Sequence, residues 1–198
     1  MEKLQHEETE WSMREENVRR TEEMAKKIFP NEEWENAASL QFIHSGEDFE
    51  LPPGIVGIMV AKSRLTGLKN DESVLTKEIR QGKILADIGL SIYLLPKLKA
   101  PDGRFIKGPD AIINGTLYEF KTITGTIRKV EKHFRKSRYQ CENVYLKIDN
   151  IKISKRDIES KIKAILRDVN YDKRINGDLI IYLAKTKETF FLRIKDMT

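Results

Sequence analysis

Apolar residues recur every seven positions near the start of the chain, at Leu4, Trp11, Val18 and Ala25. This narrow stripe predicts one helix over residues 1–29 that docks on a partner or on the rest of the chain, and Pro30 ends it. Residues 31–73 have weak periodicity and several Gly and Pro residues. We therefore expect a connecting segment there, with one strand or one short helix.

From residue 74 onward the alternation of apolar and polar positions becomes regular. The predicted elements are a helix over 74–88 closed by Gly89, strands over 91–98, 109–114 and 116–123, a helix over 126–141, a strand over 144–148, a helix that follows a capping box of Ser154 and Asp157, and strands over 178–184 and 190–194. Val144, Leu146 and Ile148 alternate with polar residues, which predicts a half-buried strand. The order of these elements predicts a mixed α/β domain.

A hairpin in the middle of this domain brings charged residues onto one face. Asn114-Gly115 between two apolar runs is the strongest short-range signal for a two-residue turn. Counting outward from that turn, Asp110 faces Glu119 in a non-hydrogen-bonded pair, and Lys121 points to the same face as Glu119. Two facing carboxylates repel each other and weaken the hairpin, so folding alone does not require this arrangement.

A divalent cation between Asp110 and Glu119 would explain the pair. Mg²⁺ (or Mn²⁺) prefers oxygen ligands, is usually held by one or two carboxylates, and keeps positions for water and phosphate. Such an ion would activate a water, and Lys121 would hold or deprotonate that water or stabilise the developing negative charge. The alternative is an ordinary surface salt bridge between Glu119 and Lys121 at a fraying end of the hairpin.

These residues resemble the signature of a known family. Gly108-Pro109-Asp110, with Glu119-Phe120-Lys121 nine residues on, is similar to the motif of the PD-(D/E)xK nuclease superfamily. The resemblance implies a restriction-endonuclease-like core of helix, three strands, helix and strand, with an added N-terminal helix and a C-terminal helix plus strands. It also implies that Asp110 and Glu119 bind metal and that Lys121 serves the nucleophilic water.

The same resemblance assigns two further residues. Glu78 matches an acidic residue that many members carry on the helix before the hairpin. The alternative for Glu78 is an ordinary salt bridge with Lys77, Lys83 or another base, since an unpaired carboxylate at the edge of an apolar stripe is costly. Gln140, at the end of the basic helix, matches a glutamine that lies near the metal or the nucleic acid in such enzymes.

More narrowly, residues 82–149 resemble the C-terminal nuclease domains of bacterial contact-dependent growth inhibition toxins. The likeness rests on the run PDAIINGTLYEFKT and on the later segment RYQCENVYLKI. It implies a nuclease that acts on tRNA, other RNA or DNA, a cognate inhibitor protein as a partner, and delivery into the cytoplasm of a target bacterium. Those domains end very large secreted proteins, whereas this sequence starts with Met1 and an acidic helix.

Charge is distributed unevenly along the chain. Residues 1–50 hold 14 Asp and Glu against 6 Lys and Arg, whereas residues 51–198 hold 17 against 30. A basic body indicates a polyanionic partner, of which nucleic acid is the commonest. The predicted contact surface is the helix over 126–141, through Arg128, Lys129, Lys132, Arg135, Lys136 and Gln140. The alternative is that these side chains form an ordinary solvated face of the helix. Phosphate contacts, if they form, do not distinguish RNA from DNA.

Composition excludes several classes of protein. No stretch reaches the roughly 20 apolar residues of a membrane-spanning helix, and residues 1–6 are too polar for a signal peptide. Cys141 is the single cysteine, which excludes an internal disulfide and a cysteine-based metal site. We therefore expect a protein that works in the cytoplasm, its own or that of a target cell.

The predicted organisation has three parts: an acidic, mainly helical segment over 1–50, a connecting segment over 51–73, and the nuclease domain over 74–198. Metal-dependent hydrolysis of phosphodiester bonds is the predicted function. Two alternatives stay open. One is a metal-independent ribonuclease that uses His133 with nearby Arg or Lys residues, and the other is a non-catalytic nucleic-acid-binding or assembly protein on a degenerate nuclease fold.

Overall fold

The structure, a computed structural model, describes residues 2–40, 57–66, 72–137, 140–150, 152–168 and 177–197. These residues form four α-helices and eight strands in a mixed α/β architecture, and from residue 72 onward their order is the predicted one. They divide into two compact units, residues 1–99 with 110–116 and residues 100–109 with 117–198. No α-helix of this described part is both long enough and apolar enough to cross a membrane.

The first unit contains α1 (Glu2–Ile28), β1 (Trp34–Asn36), β2 (Met59–Ala61), α2 (Glu72–Asp87), β3 (Ile92–Leu94) and β4 (Ala111–Ile113). β1 pairs antiparallel with β2, β2 parallel with β3, and β3 antiparallel with β4. α2 packs on β3 through a buried apolar face that includes Leu75, Ile79 and Leu85. Two strands form where the sequence predicted only one, because a strand of three residues leaves no alternation to read.

α1 lies on the strands of its own unit, in contact with β3 and β4. Thr21 and Ala25 are fully buried and stand four residues apart, so they share one face of the helix. The Thr21 hydroxyl donates to the Asn17 carbonyl at 2.6 Å, which satisfies that polar group within the helix. The predicted stripe therefore docks on the chain itself at this end. The side chains of residues 2–11 lie outside the described residues.

The predicted Asn114-Gly115 turn forms directly after β4. Both residues have positive φ, 47° and 77°, which a two-residue type I′ turn requires and which Asn and Gly adopt most readily. The Asn114 side-chain oxygen accepts from the Ser91 N–H at 2.8 Å, and the Asn114 N–H donates to the Ser91 carbonyl at 3.1 Å. The Leu95 N–H donates to the Asp110 carbonyl at 2.9 Å. These bonds fix β4, and Asp110 before it, against β3.

The second unit contains β5 (Thr116–Ile123), α3 (Ile127–Ser137), β6 (Asn143–Ile148), α4 (Lys155–Arg167), β7 (Asp178–Leu183) and β8 (Glu188–Arg193). β5, β6 and β7 are parallel in that order, and β8 pairs antiparallel with β7. α3 and α4 lie in the crossover connections that parallel pairing requires. The predicted capping box starts α4, with Ser154 Oγ accepting from the Asp157 N–H at 3.2 Å and Asp157 Oδ2 accepting from the Ser154 N–H at 2.9 Å.

β6 has one fully buried face, as its alternation predicts, and a second face that is fully buried only at Tyr145. Val144, Leu146 and Ile148 share a core with the apolar faces of α3 and α4. Tyr145 points to the other face and is also fully buried, where its ring meets Phe120 edge to face with centroids 5.1 Å apart. The burial of Tyr145 depends on Phe120 of the neighbouring strand β5, and the alternation of one strand does not reveal that partner.

The compact units have different limits from the predicted domains. α2, β3 and β4, which the sequence placed in the nuclease domain over 74–198, belong to the same unit as α1. Packing defines a compact unit, whereas independent folding defines a domain. The predicted division at residues 50 and 73 therefore stays a prediction.

Candidate active site

Glu119 and Lys121 lie on one face of β5, as strand alternation predicts, and the Lys121 ammonium contacts the Glu119 carboxylate directly. Glu119 is 1% exposed and the side chain of Lys121 is 19% exposed. The carboxylate is therefore buried and the ammonium partly buried, so the pair is not a surface salt bridge at a fraying hairpin end. An unpaired carboxylate so far from solvent would be costly, and Lys121 is its partner.

Residues at the start of β6 hold β5 in place around this pair. Asn143 Nδ2 donates to the Leu117 carbonyl at 2.9 Å and Asn143 Oδ1 accepts from the Asp178 N–H at 2.8 Å, so one side chain links three parallel strands. The Cys141 thiol also donates to the Leu117 carbonyl, at 3.1 Å. Burial raises the pKa of this thiol, and the Glu119 carboxylate adds to the effect. Cys141 is therefore a protonated, structural cysteine.

A second charged cluster, in the first unit, joins Asp110 to Glu78. The Lys97 ammonium lies 2.7 Å from Asp110 Oδ1 and 3.1 Å from Glu78 Oε1. Arg64 Nη1 lies 2.5 Å from the other oxygen of Glu78. The side chains of Asp110 and Glu78 are 12% and 9% exposed. Two of the predicted site residues thus meet around one ammonium.

Four separate elements supply this cluster. Glu78 lies within α2, Asp110 directly precedes β4, Lys97 follows β3, and Arg64 lies in a 3-10 turn after β2. Burial lowers the pKa of Lys97, but the Glu78 and Asp110 carboxylates outweigh burial and raise that pKa above its ordinary value. Lys97 is therefore charged at neutral pH and balances the two carboxylates.

Glu78 forms a salt bridge, as the alternative from the sequence expected, and its partners are bases other than Lys77 and Lys83. Lys83 pairs with Asp87 at 2.9 Å, whereas Glu78 takes its partners Arg64 and Lys97 from positions 14 and 19 residues away. Sequence reasoning identified neither Arg64 nor Lys97. A buried carboxylate requires a cation, but helical periodicity does not tell which distant loop provides it.

The chemistry of Glu78 and Asp110 fits a hard divalent cation. Mg²⁺ and Mn²⁺ take carboxylate oxygens, often only one or two from the protein, and Lys97 already draws one oxygen of each carboxylate to a shared positive charge. Within the described ranges no group of three or more His, Cys, Asp or Glu side chains could hold a metal ion. The predicted metal pair of Asp110 and Glu119 takes one residue from each compact unit and stays a prediction.

The basic helix α3 carries most of its predicted cations away from the core. Its apolar stripe is buried, and four of the predicted contact residues are exposed: Arg128, Lys129, Lys132 and Lys136. Gln140 lies beyond the helix end at Ser137, is half-buried, and donates its backbone N–H to the Ser137 carbonyl at 2.8 Å. The exposed set forms a continuous basic face, which is required of a phosphate-binding surface.

Arg135 differs from the other predicted contact residues of α3. Its guanidinium lies 3.1 Å from Glu131 and 2.5 Å from Asp168, which follows α4. Glu131 in turn contacts Lys161 of α4. Arg135 therefore links the two helices, because its position next to buried Phe134 points it towards α4. Any contact of Arg135 with nucleic acid would have to compete with these two carboxylates.

His133 is half-buried on α3, and several ammonium groups act on it. Burial lowers the pKa of its imidazole, and Lys121 of β5 lowers it further, together with Lys136, Lys132 and Lys129 of α3. Lysines of both α3 and β5 thus lower the pKa of the same imidazole. This places a concentrated positive potential beside the buried ion pair of β5.

Fold and site together define a mixed α/β protein with a buried carboxylate–lysine pair beside a basic helix. Residues 107–184 match the family model of the contact-dependent growth inhibition CdiA C-terminal domain. This part of the chain is therefore similar to a toxin C-terminal domain, which supports that part of the resemblance seen in the sequence. A search of curated proteins and a search of solved structures each gave no match.

The matched range begins later and ends later than the 82–149 range predicted from the sequence. It contains Asp110, Glu119, Lys121 and all of α3, and it excludes Glu78. Membership of the PD-(D/E)xK superfamily and a restriction-endonuclease-like core stay predictions. The match supports the similarity to toxin domains. Any catalytic activity has to be argued from the residues of the site.

Proposed function

We propose that this chain is a toxin-type nuclease that hydrolyses phosphodiester bonds in RNA or DNA with Mg²⁺ or Mn²⁺. The observation that carries the proposal is the buried Glu119–Lys121 pair beside the cations of α3, within the range matched by the toxin family. A buried ion pair is weak evidence for stability, since apolar side chains of similar size often serve a fold as well or better. A bound metal ion would explain the carboxylate, and a polyanionic substrate would explain the ammonium.

Each charged residue of the site would have a defined role. Asp110 and Glu119 would hold the divalent cation, and Glu78 would assist from its place beside Asp110. When bound, that ion supplies an activated water and neutralises charge on the phosphate. Lys121 would orient the attacking water or stabilise the negative charge that develops.

The substrate would bind along α3. Its exposed cations offer contacts to the phosphate backbone, and such contacts supply affinity and position without reading sequence. Gln140 would add a polar contact beyond the helix end. The toxin family supports delivery into the cytoplasm of a target bacterium and a cognate inhibitor protein as a second partner. The core that presents these residues would be restriction-endonuclease-like.

A metal-independent ribonuclease is the second candidate, and His133 is the observation that favours it. The lowered pKa leaves its imidazole neutral at pH 7, the form that acts as a general base. Lys121 acts on this imidazole and would stabilise charge on the phosphate. Such an enzyme would be limited to RNA if the ribose 2′-hydroxyl is the attacking group.

Cleavage assays separate the two candidates. The full chain is incubated with total RNA and with plasmid DNA, in Mg²⁺, Mn²⁺ or EDTA. The proposal predicts cleavage with either cation, none in EDTA, none by Glu119→Gln, and near-normal cleavage by His133→Gln. Cleavage of RNA in EDTA that Glu119→Gln retains and His133→Gln abolishes would contradict the proposal and support the second candidate.

A further inference from the structure

Residues 100–109 contain a turn that is braced by its own hydrogen bonds. The Ala100 N–H donates to the Arg104 carbonyl, and the Gly103 N–H donates to the Ala100 carbonyl, each at 2.8 Å. Gly103 has a φ of 81°, a conformation that glycine adopts without strain. Asp102 accepts from the Arg104 backbone N–H at 3.0 Å and from its guanidinium Nε at 2.7 Å. These contacts, all within the turn, stabilise its conformation.

This braced turn presents two neighbouring apolar side chains to solvent. Phe105 is 66% exposed, more than any other large apolar residue in the described ranges, and Ile106 is 52% exposed. Holding an aromatic ring in water forgoes the stabilisation that burial would give. Cations flank the two side chains, since Lys107 is exposed and Arg104 is 85% exposed, and a phosphate at Arg104 would compete with Asp102, 2.6 Å from its guanidinium. The combination indicates a surface that is shaped for a ligand.

An aromatic ring between two cations suits a nucleobase on a phosphate backbone. Every base has a π-face that can stack on an aromatic side chain, while Arg and Lys attract the phosphates on either side. In a regular duplex the bases are stacked on one another, so only an unpaired base offers its face. The net basic charge of residues 51–198 favours the same polyanion over an acidic or a purely apolar surface.

We infer that Phe105 stacks on an unpaired nucleobase, so that the preferred substrate is single-stranded or looped nucleic acid. The inference rests on the proposed function, because it specifies the substrate class of the same enzyme. Phe105 precedes the matched family range, which starts at residue 107, so the family model does not assign it a role. In the sequence it stands five positions before Asp110.

Binding measured in EDTA tests this contact separately from cleavage. Short fluorescein-labelled single strands of RNA and DNA are compared by anisotropy with abasic strands and with duplexes of the same length. Phe105→Ala should weaken binding to the base-containing single strands by roughly 5- to 150-fold and leave the abasic strand unaffected. Phe191→Ala removes an aromatic ring of 57% exposure from β8 and should bind like wild type. Comparing the affinities for the RNA and the DNA strands shows which of the two nucleic acids supplies the stacked base.

Phe105→Trp provides a second readout. Its indole should retain binding, and base-containing strands should quench its fluorescence whereas abasic strands should not. Equal affinity of wild type and Phe105→Ala for single strands overturns the inference, as does an equal loss on abasic strands or duplexes. Persistent cation-dependent cleavage alongside either result would show that only the stacking contact is wrong. Absent cleavage, with stacking intact, would instead refute the proposed function.

Discussion

Lys97 is a single ammonium between two carboxylates, 2.7 Å from Asp110 and 3.1 Å from Glu78. A divalent cation held by the same carboxylates would repel that ammonium at such distances. Lys97 therefore has two opposed effects at the level of one residue. It stabilises the folded chain by balancing two buried charges, and it competes with any metal that Asp110 binds.

Replacing Lys97 with Met should separate these effects. The free energy of unfolding should fall by about 2 kcal/mol, less than for a wholly buried pair because the Lys97 side chain is 30% exposed. Mn²⁺ should then raise the Tm of Lys97→Met more than that of wild type, because the competing ammonium is gone. Thermal melts with and without Mn²⁺ measure both changes.

Lys83→Met is the matched control, since the Lys83 side chain is 29% exposed, like that of Lys97, but its partner Asp87 on α2 is 41% exposed. It should change the free energy of unfolding by no more than about 0.5 kcal/mol and leave the Mn²⁺ response as in wild type. An equal Mn²⁺ response in Lys97→Met and wild type would contradict the competition.

His133 should make stability depend on pH. Its pKa is lowered in the folded chain from the ordinary value of 6.5, so the unfolded chain binds more protons between the two values. Stability contributed in this way is full above pH 6.5 and is lost as pH falls through that window to the folded pKa. Urea unfolding at several pH values should show this loss in wild type and a smaller one in His133→Gln. Parallel curves for the two proteins would contradict it.

Local patterns predicted that the side chains of Glu119 and Lys121 lie together, because both residues are on one strand and strand alternation places them on the same face. Arg64 and Lys97 could not be predicted in that way. Each lies outside a helix or strand with readable periodicity, and each meets Glu78 only after β2, β3 and α2 have packed together. Burial and long-range pairing determine such partners, and a local sequence pattern predicts neither of them.

At the scale of elements, α3 divides its charged residues between two tasks. Arg135 and Glu131 link α3 to α4 and the residue after it, through Lys161 and Asp168. Among the residues that the structure describes, no ion pair joins the exposed cations of the opposite side to α4. The helix can thus lose its basic face without losing its packing, and that division can be tested directly.

Replacing Arg128, Lys129, Lys132 and Lys136 with Gln should weaken nucleic-acid binding. The slope of log affinity against log salt should become flatter by roughly 0.7–0.9 for each phosphate that the helix no longer binds. Arg135→Gln is the contrasting variant, which should lower the Tm while leaving most of the slope intact. Fluorescence anisotropy titrations over a range of salt provide the slopes. An unchanged slope in the fourfold variant would show that the basic face is only solvated.

Turns and helix caps that depend on specific neighbouring residues were predicted correctly. The Asn114-Gly115 turn has positive φ at both residues, and Ser154 and Asp157 form the reciprocal capping box, because each depends on side chains only a few residues apart. The short strands β1 and β2 and the burial of Tyr145 on the second face of β6 were missed. Those features depend on partners that lie far along the chain, so tertiary packing decides them.

At the scale of the whole molecule, each compact unit contains a buried cluster of opposite charges. Asp110 and Glu78 meet Lys97 in the first unit, and Glu119 meets Lys121 in the second. The proposed metal ligands Asp110 and Glu119 come one from each cluster. The nuclease proposal therefore depends on whether these two carboxylates bind a divalent cation together.

Calorimetric titration of Mn²⁺ into wild type, Glu119→Gln and Lys121→Ala tests that claim most directly. Wild type should bind Mn²⁺ and gain about 2.7 kcal/mol of stability at a hundred times the dissociation constant, and less at low pH where protons compete. Glu119→Gln should stay folded and lose most of the binding. Lys121→Ala should retain the binding and lose turnover. Equal uptake of Mn²⁺ by wild type and Glu119→Gln would contradict the account and favour the metal-independent ribonuclease built on His133.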